Sequence, residues 1–150
     1  MIRDTIKTAT VTAMKAGDKP RTAALRLIGA KIKDRDIELR TASQLPDDDA
    51  MVVEVLMKMA KQRRESIEMY QSGGRQELAD QEKTELAVIE EFLPRQLSEE
   101  EIRAAIGAIK VELGAESVKD MGRVMAELRA RHATSLDMSK ASGLVKEALS

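Results

Sequence analysis

The sequence predicts an all-α protein: four helices, a short hinge, then a small domain of three short helices. Two observations carry this. Apolar residues recur at helical spacing through nearly the whole chain, and no segment alternates as a strand does. The 150 residues are 43% hydrophobic and 34% charged, which allows a buried core and does not resemble a disordered chain. There is no Trp, one Tyr (Tyr70) and one Phe (Phe92), so that core must be aliphatic, with nine Met to fill irregular gaps.

The first helix is predicted over about Ile2 to Ala16, stopped by Gly17, a residue suited to a left-handed C-terminal cap. Pro20 opens the second, which continues to about Leu39 with Leu25, Ile28, Ile32 and Leu39 as its apolar stripe. Thr41 to Pro46 reads as a loop. Asp47, Asp48 and Asp49 start the third helix, their charges complementing its dipole. Val52, Val55, Leu56, Met59, Arg63, Ile67 and Tyr70 form one face of it. Glu54 with Lys58, Lys61 with Glu65 and Arg64 with Glu68 are spaced for ion pairs along its surface. Gly73-Gly74 ends it. The fourth helix, about Arg75 to Leu93, presents Leu78, Glu82, Leu86, Ile89 and Leu93.

A boundary falls next: residues 1–93 form an N-terminal helical domain, 94–97 a hinge and 98–150 a C-terminal helical domain. Ser98 and Glu101 make a capping box for a helix reaching Gly114. Ser117 with Asp120 signals another helix start, with an end near Ala130, and Asp137 caps a last helix ending at Leu149. The C-terminal part has only 53 residues and is expected to be marginal on its own.

Composition argues against chemistry and for binding. With no Cys and a single His, His132, two of the usual suppliers of acid–base and nucleophilic catalysis are missing or nearly so. His132 stands alone near a helix end, where a cation favours the dipole. Nothing around it has the spacing of a metal site. There is no phosphate loop, nucleophile elbow or dinucleotide fingerprint, so neither catalytic residues nor a cofactor nor a metal is expected. The N-terminus is too polar for a signal peptide and no apolar run could cross a bilayer. The expected location is the cytoplasm, away from membranes.

Charge is nearly balanced overall, at −1, but unevenly spread. Residues 1–40 carry ten Lys and Arg against five Asp and Glu, whereas residues 41–97 carry seven against twelve. Within the first stretch Lys19, Arg26, Lys33 and Arg40 recur every seven residues. Each drifts only about 20° from the last on a helix, so they form one basic stripe that could meet a row of phosphates. The alternative is a solvated face, its field diluted by Asp34, Asp36 and Glu38. No aromatic is interleaved, so stacking on unpaired bases is not expected. Lys61-Gln62-Arg63-Arg64 points in several directions at once and reads as structural. Gly122, inside a helical segment where it costs up to about 1 kcal/mol against Ala, suggests a close approach by another helix or by a ligand.

Four segments in order resemble the GatB/YqeY family, specifically its free-standing YqeY-like members. They are Arg21 to Lys33, Lys61 to Glu68, Ile89 to Ile102 (which contains Phe92-Leu93-Pro94-Arg95-Gln96-Leu97-Ser98), and Lys119 to Met125. The resemblance covers essentially the whole chain. It implies an all-α protein with an elongated N-terminal part and a small C-terminal domain similar to the tail of the B subunit of the glutamine-dependent aminoacyl-tRNA amidotransferase. In that enzyme the tail contacts tRNA while the chemistry lies elsewhere. By position, Lys119, Gly122 and Arg123, with Lys140 and Lys146, are the implied tRNA-facing residues. Met138 and Ser142 stand where the family usually has Gly and Asn.

The expected function is therefore that of a non-catalytic accessory protein binding tRNA or another structured RNA. Two alternatives remain open. One, implied by the resemblance, is amidotransferase-related carbon–nitrogen ligase activity with glutamine as amido donor. The other is a helical protein-interaction module whose partner belongs to the translation apparatus.

Overall fold

The computed structural model describes residues 1–150 and contains seven α-helices and no strand. They are α1 (Ile2–Lys15), α2 (Lys19–Glu38), α3 (Asp48–Ser72), α4 (Gln76–Glu91), α5 (Glu99–Leu113), α6 (Met121–His132) and α7 (Met138–Leu149). The chain divides into two compact units, Met1–Leu93 and Pro94–Ser150. No helix is long and apolar enough to cross a membrane.

In the first unit α1 and α2 form a hairpin. Gly17, at φ +72°, lets the chain reverse: its N–H donates to Met14 O and the next N–H, that of Asp18, reaches back to Ala13 O. These two bonds satisfy carbonyls that a helix end otherwise leaves open, and only glycine holds that backbone cheaply. Asp18 then caps α2, accepting from Arg21 N–H, and α2 begins one residue before Pro20. Its predicted stripe is buried at Leu25, Ile28 and Ile32. Leu39 instead falls in a 3₁₀ turn, Leu39–Thr41, and packs on the core half-buried. The core joins these residues to Ile6 of α1, Val52, Leu56 and Met59 of α3, and Val88 and Ile89 of α4. The buried Thr22 hydroxyl donates to Asp18 O at 2.7 Å, so no polar group there is stranded.

The three aspartates at the start of α3 have three separate tasks. Asp47 is its N-cap, accepting from Ala50 N–H. Asp48 accepts from the Arg3 guanidinium, and Asp49 accepts from Ile2 N–H, capping α1 from another helix. Further along, the predicted ion pairs within α3 do not close. Arg63 instead reaches Glu82 and Glu85 of α4, and Arg64 reaches Glu90. The residue pattern places both Arg63 and Glu82 on inner faces, and that is where they meet, each under 20% exposed.

The second unit has its own core of Ile102, Ile106 and Ile109 from α5, Val124 and Leu128 from α6, Leu136, and Ala141, Val145 and Leu149 from α7. The Ser98–Glu101 capping box is formed in both directions at 3.2 Å. Gly114 ends α5 at φ +63° with the same paired bonds seen at Gly17. Residues 94–97 are tied into this unit: Leu97 N–H donates to Ser135 O, and Gln96 Nε2 donates to Pro94 O and Thr134 O. After Ser117 the chain makes a 3₁₀ turn, Val118–Asp120, before α6 begins at Met121 and runs on to His132. Asp137 caps α7, accepting from Ser139 and Lys140 N–H.

Candidate nucleic-acid interface

The basic stripe lies on the outer surface of α2. Leu25, Ile28 and Ile32 turn one face of that helix inward, so Lys19, Arg26 and Lys33 must project from the far side. All three are exposed and none has a carboxylate within 4 Å. Successive members stand about 10 Å apart along the axis. Arg40 is also exposed and unpaired, but it falls in the 3₁₀ turn, where the helical register no longer holds. The strict α-helical row therefore has three members, with the fourth at its end.

The acids expected to dilute this row are mostly engaged elsewhere. Asp36 is gripped by Arg3 in a two-bond fork at 2.7 and 2.8 Å, and Glu38 is paired with Arg35 at 2.8 Å. Of the three, only Asp34 remains free of an ion pair. The Arg3 guanidinium holds the Asp36 carboxyl below its usual range, with Lys7 and Arg40 adding to the effect. Arg3 is itself bound on both sides, by Asp36 and Asp48, which raises its pKa further. It is a structural cation, withdrawn from any ligand.

Sequence reasoning missed the contribution of α1. Lys7 and Lys15 are exposed and unpaired there, and the hairpin brings α1 alongside the row: Arg26 donates to Met14 Sδ at 3.6 Å. Val11, Met14 and, on α2, Ile37 are apolar residues left about half exposed on this hairpin. The Gly17 turn was the available signal, because a tight antiparallel turn there sets Lys7 near the end of α2 that carries Lys33.

The predicted residues of the second unit are differently placed. Lys119 is exposed in the 3₁₀ turn, and Lys140 and Lys146 are exposed on α7, all three without a carboxylate partner. Arg123 is paired with Asp120 at 2.7 Å. The Asp120 carboxyl also accepts from the N–H groups of Glu116 and Ser117, and together these hold it below its usual pKa. Gly122 occupies the first turn of α6, exposed, and a Cβ placed there would meet nothing within 4 Å. The close helix approach expected of it is absent. His132 is half-buried in the last turn of α6. A shallow depression beside Pro20, Arg21, Ala87 and Val88 has its facing charges Arg21 and Glu91 closed on each other at 2.6 Å. No three His, Asp or Glu side chains gather as a metal site would require.

The family model described as Yqey-like protein matches residues 3–149. A search of curated proteins finds no match.

Proposed function

This chain belongs to the Yqey-like family, and from that premise we propose that it is a non-catalytic accessory protein that binds tRNA or another structured RNA through phosphate contacts. The observation that carries the reading is the row Lys19, Arg26 and Lys33, exposed and unpaired, beside acids already engaged by Arg3 and Arg35. A cation already held by a carboxylate gives little to an incoming phosphate. One without a partner keeps its full charge and releases counterions when it binds. Lys119, Lys140 and Lys146 in the second unit offer further unpaired charge of the same kind, and a likeness of this unit to the amidotransferase B-subunit tail, which the sequence motifs imply, would favour tRNA among structured RNAs.

The test is binding of the purified protein to bulk tRNA across a salt series, beside Arg26→Glu combined with Lys33→Glu. Loss of two phosphate contacts is expected to lower the salt slope by about 1.4–1.8 and to weaken binding at every salt concentration. An unchanged affinity in the double variant would reduce the row to a solvated surface. Absence of binding even at low salt, where electrostatic attraction is greatest, would sink the RNA reading altogether.

A further inference from the structure

We propose that the outer face of the α1–α2 hairpin is a two-rail surface whose ligand is double-helical RNA, with one rail of cations on each helix serving one phosphate strand. The inference rests on the RNA reading above and specifies which form of RNA that site takes.

The rails follow from the hairpin's register. At one end Arg3 of α1 grips Asp36 of α2, and toward the other Arg26 of α2 meets Met14 of α1. The two helices are therefore antiparallel neighbours over most of their length. Lys7, one turn after Arg3 on α1, lies near enough to the Asp36 carboxylate that Arg3 grips to act on it, so this α1 cation stands toward the α2 side of the hairpin. One rail is Lys7 and Lys15. The other is Lys19, Arg26 and Lys33, extended by Arg40. All six are exposed and none is in an ion pair. Asp4 and Asp34 are the unpaired carboxylates among the outer residues of these helices, so positive charge prevails across the face. Val11, four residues from both Lys7 and Lys15, and Ala30, four from Arg26 and three from Lys33, share the faces of these cations and add neither charge nor an aromatic ring, while Met14 reaches across to Arg26. Packed helices lie about 8–10 Å apart, and long basic side chains can spread that spacing further.

A single strand offers one backbone and gains much of its affinity from bases stacked on aromatic rings, about 1–3 kcal/mol each. This face has no such ring. A duplex keeps its bases stacked inside, and A-form RNA presents two phosphate backbones on either side of a wide, shallow groove. Two parallel rails without aromatics match that ligand and waste most of their charge on the other.

The experiment compares a fully paired RNA duplex with its separated strands, for the wild type, Lys7→Glu/Lys15→Glu, Arg26→Glu/Lys33→Glu and, as a control outside the face, Lys58→Glu. Circular dichroism and melting establish that each is folded, which is expected because the altered side chains are exposed and unpaired. The duplex should bind tighter than its strands. Lys7→Glu/Lys15→Glu should cost roughly tenfold in duplex affinity and about 1.4–1.8 in salt slope, leave single-strand binding nearly unchanged, and match the loss from the α2 pair. Equal affinity for duplex and strands overturns the two-rail proposal. So does indifference to Lys7→Glu/Lys15→Glu while the α2 pair still weakens binding, an outcome that leaves the RNA reading standing. No binding of either RNA by the wild type overturns both, and capture of an acidic peptide in its place would assign the half-exposed Val11, Met14 and Ile37 to a protein partner.

Discussion

Lys19, Arg26 and Lys33 differ from Arg3, Arg35 and Arg63 in one respect that no composition records: the second group is held by carboxylates and the first is not. A side chain's availability is thus decided by its neighbours, and at this scale Gly122 is the most instructive residue. Its exposure, and the open space that a methyl group there would enter, mean that no packing inside the protein requires glycine. Gly122→Ala is expected to raise stability, by up to about 1 kcal/mol, because alanine loses less conformational freedom in a helix. Chemical denaturation gives the sign. If the same variant also binds tRNA more weakly, the glycine serves a ligand that comes against the first turn of α6. If affinity is unchanged, its presence has no ligand-based reason.

At the scale of elements, α1 is the helix most dependent on others. It has no side-chain cap of its own, its first N–H being satisfied by Asp49 of α3, and Arg3 in its first turn ties it to Asp36 of α2 and Asp48 of α3. Asp36→Asn should therefore loosen the hairpin, by about 1 kcal/mol, the modest value reflecting solvent screening of a half-exposed pair. The effect depends on pH in a definite direction. Because Arg3 depresses the Asp36 pKa in the folded state, the carboxylate's contribution is present above its ordinary value near pH 4 and is lost as pH falls through the lower folded-state value. Urea melts of wild type and Asp36→Asn should consequently differ at pH 7 and converge in strong acid. A constant difference across that range would mean that the charge of Asp36 is irrelevant to the contact.

For the molecule as a whole, the buried residues separate into two clusters, one within Met1–Leu93 and one within Pro94–Ser150. Each unit then has its own source of cooperativity. Leu128→Ala, which empties a fully buried site in the second cluster, is expected to cost about 2–5 kcal/mol there. Calorimetry or hydrogen exchange should find the loss confined to residues 94–150, with protection of Leu25, Ile28 and Val52 unchanged. Equal loss in both units would mean that they unfold as one.

The helices and most of their ends are legible in the chain before it folds, because they depend on local terms. Apolar spacing set the inward stripe of α2 at Leu25, Ile28 and Ile32, and the Ser98–Glu101 box, Gly17 and Gly114 work within a single turn of chain. Sequence reasoning erred where a short-range rule met a long-range competitor: Arg64 passed over Glu68 for Glu90. It also located the row Lys19, Arg26 and Lys33, since a seven-residue repeat is local too. Which charges stay available is settled by the fold. Whether Asp36 dilutes that row depends on Arg3, 33 residues away in the chain, and whether Lys7 joins it depends on the turn at Gly17. Electrostatic pairing acts through space, and until the hairpin closes no spacing along the chain specifies the partner.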